Sequence, residues 1–327
     1  MTAPPKLSVT VLNYNYGRYL ARAMDSILGQ SMTDFEVILI DDCSVDDSVE
    51  VARRYTGDPR VRFIRHERNA GYVSSLIEGT DLSSAEYATV VSADDMVVSD
   101  RAFEQQVAAL DDRPSTAFCF SAFQRMIADS GEIVGTHRSR SWDVCIGGGE
   151  FLCTYITDKE MQVLHTGTVF RTSAYRAVGG YRSDFRYAID FALWQMLATA
   201  GDVAYVSEPL YAYGVHGAQM SSSWAGVHRS TAEVLDSIEA SCARAVERGL
   251  AGPDLLQDAL DYCLYAVAMD DAFSGRARLA VRRCMTALRQ RPVAALRARR
   301  LRVIALRLLL GDQLFRRLRN AAVAGST

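Results

Sequence analysis

Two pairs of adjacent aspartates follow apolar, β-branched runs in the first third of the chain. They are Asp41-Asp42 and Asp94-Asp95. An acidic pair at the end of a buried strand is costly unless it holds a cation or hydrogen-bonds a ligand. Carboxylate oxygens are ligands that Mg²⁺ and Mn²⁺ prefer, together with substrate phosphates. Aspartates also form turns and helix caps, so each pair taken alone is open to either interpretation.

The elements that must position these acids alternate between strand and helix. Hydrophobic patterning predicts strands at 7–12, 35–40, 61–64 and 87–91, and helices at 19–30, 46–55 and 70–80. This rhythm predicts an α/β fold with a mostly parallel sheet flanked by helices on both faces. In such sheets ligands bind beyond the carboxyl ends of the strands, where both acidic pairs fall.

The second half of the chain is less regular until its composition becomes helical. The pattern predicts a strand at 116–123, a hairpin turn at 129–132 and a loop or hinge at 147–149, then helices at 231–247, 255–273, 278–290 and 293–320. We therefore predict two parts: a catalytic domain at 1–222 and a C-terminal helical region at 223–327.

Six segments of the chain resemble, in the same order, motifs of the family 2 glycosyltransferases. They are SVTVLNYN (8–15), FEVILIDDCS (35–44), NAG (69–71), SADD (92–95), GTVFR with VGGY (167–181) and IDFALW (189–194). The resemblance covers about residues 7–222. It implies a Rossmann-like GT-A fold and the transfer of a sugar, with inversion, from a nucleotide diphosphate sugar to an acceptor hydroxyl.

The resemblance also implies roles for individual positions. Asp190 would be the catalytic base, Asp95 would ligate Mg²⁺ or Mn²⁺, and His216 would meet the metal or the diphosphate. The donor nucleotide and its sugar would contact Leu12, Asn13, Tyr14, Asp42, Asn69 and Asp94. These residue types suit the chemistry, because a cation neutralises a leaving diphosphate and a carboxylate takes the proton of an attacking hydroxyl.

Two departures from the family pattern affect these expectations. Ile189 stands where members often have an acid, so we expect an altered environment of the acceptor or the base rather than lost activity. An arginine often found shortly before His216 is missing, and a solvent-facing loop histidine is the alternative there. His66, His137 and His165 have no motif context, and we assign them surface or packing roles.

The donor and acceptor are predicted less sharply. UDP is favoured because it is the commonest donor nucleotide in the family, and the absence of a Gln-x-x-Arg-Trp motif favours transfer of a single sugar. The acceptor is open: a small molecule, a glycan or a lipid-linked sugar. A nucleotidyltransferase is a rival, although 12–17 is not a basic phosphate loop. A catalytically silent module that binds sugar nucleotides or lipids is another.

Charge is distributed unequally along a chain whose net charge is −3. The segment 276–327 holds fourteen arginines, no lysine and one acid. Its basic helices could contact an anionic membrane surface, pack on the acidic body or form a homodimer; no aromatic-basic pattern favours nucleic acid. The opening residues lack the apolar core of a secretion signal, and the seven cysteines are scattered. We therefore expect a cytoplasmic protein, with peripheral contact at the inner membrane face as an alternative.

Overall fold

The computed structural model describes residues 4–157, 161–217 and 224–252, together with Ala259. The chain divides into two compact units, Met1–Ala251 and Gly252–Thr327. The helices predicted at 255–273, 278–290 and 293–320 lie outside the described residues. Within the described ranges, no helix is both long and apolar enough to cross a membrane.

The described part of the first unit contains ten strands and eight helices. The strands are β1 (Leu7–Asn13), β2 (Phe35–Asp41), β3 (Val61–Arg65), β4 (Tyr87–Ser92), β5 (Met96–Val97), β6 (Thr116–Ile127), β7 (Ile133–His137), β8 (Val144–Ile146), β9 (Val169–Arg171) and β10 (Asp202–Val215). The helices are α1 (Gly17–Leu28), α2 (Ser48–Arg53), α3 (Tyr72–Asp81), α4 (Ala102–Asp111), α5 (Gly148–Thr157), α6 (Thr172–Ala177), α7 (Ile189–Ala198) and α8 (Trp224–Glu247).

All ten strands belong to one sheet. Its order is β3-β2-β1-β4-β9-β6-β10-β5, with β7 paired to β6 and β8 paired to β10. The four strands β3, β2, β1 and β4 are parallel, β9 is antiparallel to both of its neighbours, and β6 and β10 are parallel. The α/β class with parallel strands and flanking helices is confirmed. Because β1, β2 and β4 run the same way, their carboxyl ends meet at one edge of the sheet.

Helix α1 illustrates how apolar spacing fixes the elements around that edge. Leu20, Ala23, Met24 and Ile27 follow the helical period, and all four are fully buried. Burying each large side chain of this kind contributes about 1.5–3 kcal/mol relative to leaving it exposed. The packed helix brings Tyr16, the residue before its first turn, to the edge of the sheet where β1 ends.

The structure differs from the sequence prediction at 147–149, where we expected a loop. Helix α5 begins at Gly148. A Cβ at Gly148 would collide with the carbonyl oxygens of Ala198 and Gly201, so the glycine permits close approach of two backbone segments. A Cβ at Gly149 would likewise meet the Leu250 carbonyl oxygen, whereas Gly147 has open space around it, so two of the three glycines mark tight packing at a helix start.

Helix α8 belongs to the first unit, although the predicted division at residue 222 assigned it to the C-terminal region. The amide nitrogen of Gln195 donates to the Ser237 hydroxyl at 3.2 Å, and the Ser241 hydroxyl donates to the Gln195 oxygen at 2.8 Å. These buried bonds join α8 to α7. The predicted roles of the two parts of the chain stay predictions.

Candidate active site

A cavity of about 540 Å³ opens at the edge of the sheet where β1, β2 and β4 end. Its volume lies in the range of small-molecule and cofactor sites. Eight of the nine residues predicted for the site line it: Leu12, Asn13, Tyr14, Asp42, Asn69, Asp94, Asp95 and Asp190. The ninth, His216, contacts one of them. The fold thus brings together residues that are up to 200 positions apart in the sequence, as the motif order predicted.

At one end of the cavity, Asp42 is held by a loop and a histidine. Its Oδ1 accepts the Ala70 N–H at 2.7 Å and its Oδ2 accepts the Gly71 N–H at 2.8 Å. His66 Nδ1 lies 2.8 Å from Asp42 Oδ1, and its Nε2 lies 2.9 Å from Glu78 Oε2. Burial disfavours the charged ring, but the two carboxylates outweigh it and raise the pKa of His66. His66 therefore supports the site and is not the surface or packing residue that we expected.

The neighbouring Asp41 points into the protein instead. Its Oδ1 accepts a hydrogen bond from Asn13 Nδ2 at 2.8 Å, and its Oδ2 accepts one from the Ser44 N–H at 3.1 Å. Cys43, which follows Asp42 directly, has a φ of +64°, in the left-handed region that turns the chain sharply. The two aspartates therefore have different surroundings. Asp41 holds Asn13 and the turn at Ser44 in place, whereas Asp42 lines the cavity.

The second acidic pair is almost completely buried. Asp95 Oδ1 accepts the Gly214 N–H at 2.8 Å, and its Oδ2 accepts a very short hydrogen bond from the Thr166 hydroxyl. Asp94 Oδ2 lies 3.0 Å from Nε2 of His216. Burial raises the pKa of both carboxyls, and the charge of Asp94 raises that of Asp95 further. A cation placed beside the pair would relieve both effects.

The donor set at this pair fits a hard divalent cation. No three His, Cys, Asp or Glu side chains form a metal-binding group within the described residues. Mg²⁺, however, is commonly held by one or two carboxylates together with substrate phosphates. Among the described residues, each oxygen of Asp95 accepts a single hydrogen bond, which leaves a further lone pair on each. The pair is therefore suited to a metal that is completed by a phosphate ligand.

Asp190 is the second residue of α7 and lines the same cavity as the residues at the strand ends. Its Oδ1 accepts the N–H of Phe191 at 2.8 Å. The helix lacks a capping side chain, because its N-cap residue is Ala188. Glu233 of α8 instead holds the segment just before the helix, because its carboxylate accepts the N–H groups of 186–188 at 3.0, 2.8 and 2.8 Å. The sequence reasoning missed Glu233, which no motif marks.

His165 was also missed as a cavity residue. Its Nδ1 lies 2.6 Å from the Tyr72 hydroxyl, and its Nε2 lies 2.7 Å from the Tyr181 hydroxyl. His165 and Tyr72 line the cavity, whereas Tyr181 is 6% exposed and does not. Burial lowers the pKa of His165, so the ring is neutral at pH 7. Only its position just before Thr166, within the second half of the motif set, could have suggested it.

Comparisons with known proteins agree with this geometry. The family model described as glycosyl transferase family 2 matches residues 8–178. The glycosyltransferase YibD of Escherichia coli K12 is 27% identical over 229 residues, which are 68% of this chain but only 64% of YibD. This chain therefore spans less than two thirds of that relative.

Two solved structures resemble the fold at low sequence identity. Staphylococcus aureus TarS in complex with UDP-GlcNAc has a TM-score of 0.64 and 16% identity, over 80% of this chain and 72% of the other. The mannosyltransferase PcManGT of Pyrobaculum calidifontis, in complex with GDP-Man and Mn²⁺, has a TM-score of 0.54 and 17% identity, over 94% and 88%. Because the family model covers more than half of the 327 residues, the chain belongs to glycosyl transferase family 2.

Proposed function

We propose that this protein is an inverting, metal-dependent, nonprocessive glycosyltransferase. It moves one sugar from a nucleotide diphosphate sugar, with UDP favoured, to an acceptor hydroxyl. The observation that carries the proposal is the convergence of Asp42, Asp94, Asp95 and Asp190 on one cavity of about 540 Å³. These acids come from two strand ends and one helix start, and this chemistry requires carboxylates in several distinct roles.

Asp190 is the general base in this proposal. A sugar hydroxyl is a poor nucleophile at neutral pH, so a carboxylate must take its proton as it attacks the anomeric carbon. The attack occurs from the face opposite the leaving diphosphate and inverts that carbon in one displacement. Asp190 lines the cavity at the start of α7, and Glu233 holds the segment that leads into this helix. A rigid support of this kind suits a base that must meet the hydroxyl at hydrogen-bond distance.

Asp95 would hold Mg²⁺ or Mn²⁺ together with the diphosphate oxygens, and the metal would neutralise charge on the leaving group. Asp94 would face the ribose or the donor sugar. His216, hydrogen-bonded to Asp94, would lie near the diphosphate. The burial of two adjacent carboxylates supports this assignment, and so does the Mn²⁺ in the complex of PcManGT, a protein of similar fold.

Asp42 would bind the nucleotide base. Its Oδ1 already meets His66 and the Ala70 N–H, whereas its Oδ2 accepts the Gly71 N–H and keeps a lone pair that can accept an imide N–H such as that of uracil. Leu12, Asn13, Tyr14 and Asn69 line the same part of the cavity. Support for UDP comes from the UDP-GlcNAc bound to TarS; PcManGT binds GDP-Man, so the base requires a direct test.

Calorimetric titration with UDP, GDP and dTDP tests the proposal, each with Mn²⁺ and with EDTA. One nucleotide should bind in a metal-dependent way, and Asp95→Asn should abolish the dependence. Asp190→Asn should keep nucleotide binding and lose turnover of the sugar nucleotide. Asp184→Asn is the matched control, because Asp184 is an exposed carboxylate paired with Arg182. Absence of binding to all three nucleotides would overturn the site assignment.

The same variants distinguish a catalytically silent binding module. In that case Asp190→Asn would leave every measured property intact. The acceptor class, peripheral membrane contact, dimerisation through the C-terminal helices and a cytoplasmic location stay predictions.

A further inference from the structure

A chain of three side chains joins the cavity to the protein interior. Tyr181 lies at its buried end, His165 in the middle and Tyr72 at the cavity. Within the ranges that the structure describes, His165 is the only hydrogen-bond partner of either tyrosine hydroxyl. The direction in which the three groups donate decides what Tyr72 offers to a ligand.

A neutral imidazole carries one N–H donor and one acceptor nitrogen. If Nε2 carried the proton, it would donate to Tyr181, whose own O–H would then be buried without an acceptor. An unsatisfied buried donor costs about 1–3 kcal/mol. If Nδ1 carries the proton, Tyr181 donates to Nε2 and its buried O–H is satisfied. Burial of Tyr181 therefore selects the Nδ1–H form of His165.

In the Nδ1–H form, the His165 ring donates to the oxygen of Tyr72. The Tyr72 O–H cannot then point back at His165, and it is left to donate into the cavity. Burial keeps this hydroxyl protonated by raising its pKa, and the negative charges of Asp190, Asp95 and Asp94 add to the effect in that order. The cavity thus contains a neutral donor of fixed direction among carboxylates.

We propose that Tyr72 donates a hydrogen bond to a hydroxyl oxygen of the transferred sugar and so determines donor-sugar specificity, with His165 and Tyr181 as positioning residues. The inference rests on the proposed function. A neutral O–H suits a neutral sugar hydroxyl, whereas a phosphate calls for a cation. Tyr72 lines the cavity together with Asp190, Asp95 and Asp94, the acids assigned to the base, the metal and the sugar.

The first experiment measures the tautomer and requires no substrate. Long-range ¹H–¹⁵N spectra of ¹⁵N-histidine-labelled protein at pH 7 distinguish Nδ1–H from Nε2–H, and His165→Gln assigns the signal. We expect neutral His165 with the proton on Nδ1, and a mixture of tautomers in Tyr181→Phe. An Nε2–H ring or an imidazolium in the unmodified protein would overturn the inference, whatever the protein transfers.

The second experiment compares a nucleotide with its sugar nucleotide, using UDP against UDP-GlcNAc, UDP-glucose and UDP-galactose in Mn²⁺. Tyr72→Phe removes one oxygen atom and keeps the ring. We expect UDP affinity to change less than twofold, while the sugar nucleotide that the unmodified protein binds best weakens about 3- to 10-fold. Tyr55→Phe is the control, because its hydroxyl bonds Asp25 and the Ala21 carbonyl and does not line the cavity.

Other outcomes of this comparison are equally informative. Equal weakening of UDP and sugar nucleotide would mean that the hydroxyl meets the nucleotide or phosphate, and no change in either would mean that it meets no donor; both overturn the inference. Failure of the unmodified protein to bind any nucleotide would instead overturn the proposed function, while the tautomer measurement would still report on the His165 chain.

Discussion

Glu233 offers the sharpest test of how the base is held. Its carboxylate accepts the N–H groups of residues 186–188, directly before the helix that carries Asp190. Glu233→Ala removes all three bonds. Glu233→Gln keeps the shape but replaces one acceptor oxygen by an NH₂ group that cannot accept. We expect both variants to lower kcat, because the segment that leads into α7 loses hydrogen bonds that hold it.

The size of the effect follows from the three bonds. Each net hydrogen bond contributes about 0.5–1.5 kcal/mol, and Glu233 is partly exposed, so we take roughly 2 kcal/mol for the alanine variant. Since about 1.4 kcal/mol corresponds to a factor of ten, the population with a correctly placed base falls by up to about 30-fold. We expect kcat to fall about 10- to 30-fold in Glu233→Ala and about 3- to 10-fold in Glu233→Gln.

Steady-state turnover of the sugar nucleotide measures the expected fall in kcat, and calorimetry measures whether affinity for the nucleotide is kept. We assign the nucleotide base to Asp42, whose partners are His66 and the Ala70 and Gly71 N–H groups and not Glu233, so the nucleotide dissociation constant should change less than twofold. Glu239→Gln on the same helix is the control, because Glu239 is exposed. Equal losses in kcat and nucleotide affinity would indicate general unfolding, and unchanged kcat in Glu233→Ala would refute the positioning role.

Three further predictions concern the rest of the site. NMR titration should give His66 a pKa above its ordinary 6.5, and Asp42→Asn should lower that pKa. The charged His66 ring stabilises the folded protein fully below pH 6.5, and this stabilisation is lost as the pH rises through the raised pKa. Mn²⁺ should raise Tm of the unmodified protein but not of Asp95→Asn, and a rise in both would place the metal elsewhere. Gly167→Ala should lower the free energy of unfolding in urea by about 3 kcal/mol, because Gly167 has a φ of +78° and a Cβ there would overlap the Tyr211 ring. A loss below about 1 kcal/mol would show that the turn relaxes.

Periodicity and motif order predicted most of the fold and the cavity lining. Strands β1 to β4 and helix α1 begin and end within two residues of the predicted bounds, because their apolar residues recur with the period of the element that they form. Strand ends in a parallel sheet must meet, so the positions of Asp42 and Asp94 followed once the strands were placed. The role of each residue stays a prediction.

The side chains that support the site could not be found in this way. His66 acts through Asp42, and His165 acts between two tyrosines that are 93 and 16 positions away. Glu233 reaches residues 45–47 positions earlier in the chain from a helix that composition alone assigned to another region. Such contacts depend on how distant elements pack together, so they cannot be predicted from the spacing of neighbouring residues.

The negative charge of Asp42 is balanced by its neighbours more fully than that of Asp94 and Asp95, and this difference favours a cation beside the second pair. The charge of Asp42 is met by His66 and two backbone amides. Arg22 acts on Asp94 and Asp95 by charge, yet burial still raises the pKa of both carboxyls. A diphosphate brought to this pair adds negative charge, so it can bind only if the carboxyls take up protons or a divalent cation. Nucleotide binding that survives in EDTA would favour protons, and binding that requires Mn²⁺ would favour the metal.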